Sequence, residues 1–168
     1  MTAHTTATAA VGAHPRRWLA LALLGIAQSM LILDVTVVAV ALPQMSIDLG
    51  LSREAVTWVV AAYTLAFGGL MLLGGRSADL VGSKPIVYGG LFAFTAGSLV
   101  AGLADNGTIL LAGRVIQGVG AAMLSPAALS VVVRLFVGDE RSRALGIWSA
   151  LGGGGAAVGV LLGGLITA

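Results

Sequence analysis

The chain has 168 residues, of which 58% are hydrophobic and 10% are charged, and its formal net charge is +2. Because a soluble domain carries about 25% charged residues, this composition excludes an ordinary soluble protein and indicates an integral membrane protein. The chain has no cysteine, which excludes disulfide scaffolds, thiolate metal sites and cysteine nucleophiles. We therefore expect an all-α fold whose first partner is the lipid bilayer.

The first fifteen residues are polar and rich in alanine and threonine, and they predict a disordered cytoplasmic tail over residues 1–15. Residues 16–168 form the predicted membrane domain and contain five apolar spans, each close to or above the ~20 residues that cross a bilayer. The predicted helices cover about residues 18–42, 55–75, 85–104, 108–137 and 144–168. Twin arginines before the first span leave an export signal as an alternative, but this span is longer than a signal h-region.

The basic residues predict the orientation of the chain. With the N-terminus inside, seven of the nine lie on the cytoplasmic side: Arg16, Arg17, Arg76, Lys84, Arg134, Arg141 and Arg143. The positive-inside rule therefore predicts a multi-pass protein of the cell membrane with a cytoplasmic N-terminus. Since these charges lie at helix ends and not in one patch, a nucleic-acid partner is not expected.

Two charged residues lie deep inside predicted spans. Asp34 precedes the end of the first helix by eight residues, and Arg114 follows the start of the fourth by six, which gives depths of about 12 and 9 Å. A charge near a helix centre costs about 2.5–3.5 kcal/mol on insertion scales and generally marks a functional site. The two residues can pair if helices 1 and 4 are neighbours, which the sequence does not reveal. The alternative is a permanent ion pair that only fixes helix packing.

Small residues mark two further helix faces. On helix 4, Arg114, Gly118, Ala121 and Ser125 share one face, and Gln117 lies beside it. On helix 5, Gly152, Gly155, Gly159 and Gly163 are spaced for a close contact between helix backbones. We expect a seam there that slides or bends, although no later helix in these residues can supply its partner surface.

Residues 75–85, GRSADLVGSKP, predict a tight cytoplasmic turn between helices 2 and 3. The turn contains one acid, Asp79, among basic residues. This carboxylate can contact a helix N-terminus or a nearby base such as Arg134. The alternative is an ordinary loop that only sets the topology.

Four stretches together resemble one family. They are LDVTVVAVALP at 33–43, GRSADLVGSKP at 75–85, RVIQGVGAA at 114–122 and the glycine-rich fifth helix. Their order and their helices are those of the major facilitator superfamily, most closely the fourteen-helix drug:proton antiporters of the EmrB/QacA type. The resemblance implies five transmembrane helices of an incomplete major-facilitator N-terminal half, in which helices 1 and 4 are neighbours in two inverted repeats.

The resemblance also implies roles for particular residues. Proton coupling is assigned to Asp34 and Arg114. The cytoplasmic gating loop comprises Gly75, Asp79, Gly82 and Lys84, with Arg134 as a nearby partner. The helix 4 motif contains Gln117, Gly118, Gly120 and Ala122, and the antiporter motif of helix 5 contains Gly146, Gly155, Gly159, Gly163 and Gly164. Gln28, Met30 and Tyr63 are candidate substrate-lining residues.

The expected function is proton-coupled efflux of drugs or other lipophilic small molecules by alternating access, as part of a longer transporter. The proton gradient supplies the energy, so no cofactor, metal or catalytic residue is expected, and the spans contain no pattern typical of an enzyme. The expected partners are the substrate and the missing C-terminal helices of the same transporter. Two alternatives remain open: a truncated membrane protein without transport activity, and a major-facilitator transporter of another solute.

Overall fold

The computed structural model describes residues 16–166 and contains five α-helices in that part of the chain. The helices are α1 (Arg17–Asp48), α2 (Arg53–Val81), α3 (Ser83–Gly102), α4 (Gly107–Leu135) and α5 (Asp139–Ile166). All five are long and apolar enough to cross a membrane, which confirms the predicted all-α membrane fold. The tail predicted over residues 1–15 lies outside the described residues.

α1 is longer than the sequence pattern indicates, because it continues past Pro43. Proline lacks the N–H that bonds the preceding turn, yet the helix runs through this position. The helix instead ends at Asp48, where the Leu49 N–H donates to the Met45 carbonyl over 3.0 Å. One additional i,i+4 contact supports this last turn, a 2.9 Å hydrogen bond from Gln44 to Asp48.

The predicted loop between α2 and α3 is wrong. Residues 75–81 form the last turns of α2, and α3 begins at Ser83, so the two helices are separated only by Gly82. Gly82 has φ +102°, a conformation that residues with a Cβ rarely adopt, and its N–H closes α2 by donating to the Ala78 carbonyl. A single glycine thus makes the turn for which eleven residues were expected.

The starts of the later helices follow familiar capping chemistry. Ser52 caps α2 by accepting a hydrogen bond from the Ala55 N–H, and Asn106 caps α4 by accepting one from the Ile109 N–H. α5 begins at Asp139, five residues before its predicted start, with two acidic residues in its first turn. Acidic side chains are favourable there because the N-terminus of a helix carries a partial positive charge.

The close glycine contacts of the spanning helices fall into two groups. In the first group, α4 packs against α2 and α3: a Cβ at Gly74 would overlap the Ala122 carbonyl, and one at Gly90 would lie 2.7 Å from the Leu124 nitrogen. In the second group, α5 packs against α1, where a Cβ at Gly155 would lie 2.7 Å from the Ser29 carbonyl oxygen. The expectation that the helix 5 seam lacks a partner in this chain is therefore wrong, because α1 supplies it.

A cluster of aromatic and basic side chains joins α1, α4 and α5 at the end of the bundle where α1 begins. The Trp18 ring meets the edge of the buried Phe136 ring at a centroid distance of 4.8 Å. Arg17 forms a 2.7 Å ion pair with Glu140, and the Arg143 guanidinium lies 5.6 Å from the Trp18 ring centroid. These contacts hold the α1–α5 pair against α4 at this end.

Candidate functional site

Arg114 is the largest fully buried side chain of the described residues, with 2% of its surface exposed. Its Nη1 donates to Asp34 Oδ2 on α1 over 2.5 Å, and its Nε donates to the Val59 carbonyl on α2 over 3.3 Å. The guanidinium also lies over the Tyr63 ring at 4.4 Å from the centroid, a distance at which the π face attracts a cation. One buried cation thus contacts α1 and α2 from α4.

Gln117 completes the ion pair, one turn along α4 from Arg114. Its Nε2 donates to Asp34 Oδ1 over 2.7 Å and to Ser98 Oγ on α3 over 2.8 Å. Its Oε1 accepts from Arg114 Nη1 over 2.9 Å, and the residue is 1% exposed. Side chains and a backbone carbonyl from four helices therefore form one hydrogen-bonded polar cluster, which satisfies the carboxylate of Asp34 at both oxygens.

The glycines of α4 explain how so large a cluster fits between closely packed helices. A Cβ at Gly113 would lie 2.7 Å from the Ala101 nitrogen of α3, and one at Gly118 would lie 2.7 Å from the Tyr63 carbonyl of α2. Gly120 contacts the backbone of Phe94 in the same way. Because these helices meet backbone to backbone, the arginine and glutamine side chains reach across to neighbouring helices.

Two small cavities adjoin the polar cluster. One of about 250 Å³ lies between α1 and α3 and is lined by Met30, Leu33, Asp34, Val37, Phe94, Thr95 and Ser98. The other, of about 160 Å³, is lined by Asp34, Val38, Met45, Ser98, Ala101, Gly102, Leu110, Arg114 and Gln117. Both volumes exceed the space that one water molecule needs. The Asp34 side chain is 16% exposed, whereas that of its arginine partner is 2% exposed.

The residues predicted to form a gating loop lie on helices, except for Gly82. Asp79 near the end of α2 contacts Arg134 in the last turn of α4 across 3.4 Å, and both side chains are more than half exposed. Gly75 faces Pro126 of α4 at 3.7 Å, measured from its ideal Cβ position. Gly82 forms the turn, and Lys84 is exposed in the first turn of α3. The structure therefore joins Asp79 to Arg134, one of the two expected partners of this acid, through the ends of two helices and not through a tight turn.

Three of the five antiporter-motif glycines lie in the seam against α1. Gly155, Gly159 and Gly163 face Ser29, Thr36 and Val40 in turn. At Gly146 and Gly164, an added Cβ would meet no described atom within 4 Å. The seam also contains a hydrogen bond from Ser29 Oγ to the Leu151 carbonyl, over 2.7 Å.

The three candidate substrate-lining residues have different surroundings. Met30 lines the 250 Å³ cavity, whereas Tyr63 is buried beneath Arg114 and is 5% exposed. Gln28 is half-buried, and its Oε1 has no hydrogen-bond partner among the described residues. Met30 also packs against the apolar cluster of buried residues that contains Tyr63, so these two candidates lie near each other.

Sequence reasoning did not identify two members of the polar cluster. Val59 contributes a backbone carbonyl, which no side-chain pattern indicates. Ser98 is a lone hydroxyl in an apolar helix, where a serine commonly bonds its own backbone and signals nothing further. The one available signal is its position directly after Gly97, at which α3 touches Gln117.

Five helices long and apolar enough to span a membrane, four of which meet at a buried ion pair, define a polytopic membrane protein. Residues 24–168 match the family model described as Major Facilitator Superfamily, and the chain belongs to that superfamily. This confirms the family resemblance of the four sequence motifs. The intramembrane ion pair is consistent with it, because charges within spans generally face the bundle interior and mark transport pathways.

Several curated relatives are drug resistance or export proteins. The chain is 51% identical over 158 residues to the puromycin resistance protein pur8 of Streptomyces alboniger, which covers 93% of this chain and 31% of the relative. It is 45% identical over 149 residues to the cephamycin export protein CmcT of Amycolatopsis lactamdurans. This match covers 88% of this chain and 31% of the relative. It is 36% identical over 152 residues to the methyl viologen resistance protein SmvA of Salmonella typhimurium. This match covers 90% of this chain and 31% of the relative. The chain thus spans about a third of the length of these relatives.

Proposed function

We propose that this chain is the N-terminal part of a proton-coupled exporter of drugs or other lipophilic small molecules. The relatives named for resistance to puromycin and methyl viologen and for export of cephamycin support the direction and the class of substrate. The remaining transmembrane helices of the same transporter complete the translocation pathway. Energy comes from the proton gradient, with no cofactor.

The observation that carries the proposal is the contact of Asp34 with Arg114 and Gln117. An acid that adjoins two water-sized cavities can exchange protons, while the arginine beside it is always charged. Protonation of Asp34 removes the negative charge that Arg114 faces, so the attraction between α1 and α4 falls. A proton thereby changes the relative stability of two helix arrangements, which is the requirement for coupled alternating access.

The other motif residues take supporting roles in the proposal. The exposed pair Asp79–Arg134 links the ends of α2 and α4 on the proposed cytoplasmic side. Because an exposed pair contributes only about 0–1 kcal/mol, it can open and close without a large barrier. The α1–α5 seam lets these two helices slide or bend against each other, since small residues leave few interlocking side chains between them.

The proposed location is the cell membrane, with the N-terminus in the cytoplasm. Seven bases lie at one end of the antiparallel helices: Arg16, Arg17, Arg76, Lys84, Arg134, Arg141 and Arg143. The opposite end carries Arg53 together with Asp48, Glu54 and Asp105. The positive-inside rule supports this orientation.

The test is transport by the protein expressed from its complete gene in a bacterium that lacks its own drug exporters. Inverted membrane vesicles are energised with a proton gradient, and ethidium accumulation is measured. We expect accumulation by the wild type and by Glu54→Gln, which alters an exposed acid at the opposite end of the bundle. Asp34→Asn is expected to insert normally but to lose proton-driven accumulation.

Two results would count against the proposal. Full proton-driven accumulation by Asp34→Asn would remove Asp34 from the coupling mechanism. No accumulation of ethidium by the wild type, together with proton-driven uptake of a sugar or an amino acid, would assign the transporter to another solute.

A further inference from the structure

Ser98 is the contribution of α3 to the polar cluster. It follows Gly97, whose missing side chain lets α3 approach α4, because a Cβ there would lie 2.7 Å from the Gln117 backbone nitrogen. The Gln117 amide then reaches Ser98 Oγ over 2.8 Å. The serine is hydrogen-bonded to Gln117 and not to Asp34 or Arg114. It therefore acts on the ion pair through Gln117.

While Asp34 is ionised, the orientation of the Gln117 amide is determined by its neighbours. A carboxylate can only accept hydrogen bonds, and a guanidinium can only donate them. The amide therefore presents its nitrogen to Asp34 and its oxygen to Arg114, at 2.7 and 2.9 Å. Ser98 Oγ accepts a hydrogen bond from the second N–H of the amide, so both amide hydrogens are bonded.

Protonation of Asp34 reverses this requirement. When Oδ1 takes a proton from a hydronium ion in an adjoining cavity, water remains, and the new O–H of Asp34 faces an N–H of Gln117. Two donors cannot bond each other, so the hydrogen bond from Gln117 Nε2 to Asp34 Oδ1 is lost. When the amide turns over, it presents its oxygen to Asp34, and Arg114 Nη1 loses the acceptor that this oxygen had provided. That oxygen then also faces Ser98, whose hydroxyl can donate to it instead of accepting.

The cavities support a role for Ser98 that involves movement. Asp34 and Ser98 are the two residues that line both the 250 Å³ and the 160 Å³ cavity. The serine hydroxyl therefore has space beside it, and water in either cavity can accept its hydrogen while its oxygen accepts from Gln117. Gln117, by contrast, is almost completely enclosed.

We propose that Ser98 is a positioning residue for proton coupling: its hydroxyl holds the Gln117 amide against ionised Asp34 and reverses its hydrogen bond when Asp34 is protonated. This inference rests on the proposed function and adds a residue that none of the sequence motifs contains. The role requires one group that both accepts and donates a hydrogen bond. Serine and threonine provide such a group, and alanine does not.

The test compares two activities of the full-length protein, expressed from its complete gene and reconstituted into liposomes. One is proton-driven accumulation of labelled ethidium, and the other is exchange of labelled for unlabelled ethidium without a proton gradient. Ser98→Ala is expected to reduce the first by about tenfold, the change that a hydrogen bond in a charged network supports, and to leave exchange within about twofold. Ser98→Thr is expected to retain both activities.

A matched control is Thr64→Ala, which removes a hydroxyl that bonds the Val60 carbonyl of its own helix. It is expected to retain both activities. Retained proton-driven accumulation in Ser98→Ala would overturn the inference. So would an equal loss of both activities, which indicates a purely structural serine, or a failure of Ser98→Thr to restore coupling.

Asp34→Asn, measured in the same liposomes, separates this inference from the proposed function. If Asp34→Asn keeps proton-driven accumulation, the proposed function itself fails. If Asp34→Asn loses it while Ser98→Ala keeps it, only the role of Ser98 is overturned.

Discussion

Gly159 of α5 faces Thr36 of α1 so closely that a Cβ at position 159 would overlap the threonine hydroxyl. Thr36 Oγ1 bonds carbonyls of its own helix, at Ile32 and Leu33, and is therefore held at the seam. The contact lies about half a turn of α1 beyond Asp34, on a helix that carries the acid of the polar cluster. The packing of the seam and the position of the acid are consequently linked.

We predict that Gly159→Ala separates α1 from α5 and lowers the free energy of unfolding by about 1–3 kcal/mol, as overpacking does elsewhere. The matched control is Gly164→Ala, in the same helix, where the added methyl meets no described atom within 4 Å. The control is expected to be neutral or to gain up to about 1 kcal/mol of helix propensity. Thermal unfolding in detergent measures both. Equal stability of the two variants would contradict close packing of α1 against α5 at Gly159.

A second prediction concerns the shape of the buried cation. Arg114→Lys keeps the charge but cannot reach Val59, Asp34 and Gln117 with one ammonium group in the same geometry. We expect the variant to lose about 1.5–3 kcal/mol of stability, the value of a hydrogen bond to a charged group.

The control for the buried cation is Arg134→Lys, at a base whose side chain is 62% exposed. Its unfolding temperature is expected to change little, because exposed substitutions generally stay within about 0.5 kcal/mol. An Arg114→Lys variant as stable as this control would mean that only the charge, and not the planar guanidinium, is required at position 114.

The third prediction addresses the single-residue turn between α2 and α3. At φ +102° and ψ 146°, a side chain at position 82 is strained, so Gly82→Ala is expected to cost about 1–3 kcal/mol. The comparison variant is Gly102→Ala, at the last residue of α3, where a Cβ has open space among the described atoms. Limited proteolysis at this turn reports the change, because a strained turn opens more often. Cleavage of both variants at the wild-type rate would contradict the predicted strain at position 82.

The sequence predicted the membrane helices and the depth at which the two charges lie, because hydropathy and helix rise determine both. Asp34 and Arg114 were matched in depth to within one helical turn, and the structure places them in contact. What depth cannot reveal is which helices are neighbours. Which helices are neighbours is determined by the glycine contacts. These depend on how the surfaces of two helices fit together, and the sequence pattern of a single helix does not show that fit.

The errors have equally specific causes. The combination of glycine with charged side chains at residues 75–81 predicts a turn, yet neither prevents a helix that other helices support. The partner of the α5 seam was sought later in the chain, whereas α1 precedes it by about a hundred residues. Val59 and Ser98 were missed because a backbone carbonyl and a lone hydroxyl give no periodic signal.

The order of the helices along the chain determines when each group of glycine contacts can form during synthesis. α1 is the first of these helices to leave the ribosome, but its close-packed neighbour α5 is the last. Asp34 precedes Arg114 by 80 residues, so at about 5–20 residues per second it enters the membrane roughly 4–16 s before its partner. For that interval Asp34 lacks its partner Arg114, so the acid must be protonated or stay close to water or to the insertion machinery. Of these five helices, the one that emerges last is thus the one that packs closely against the first.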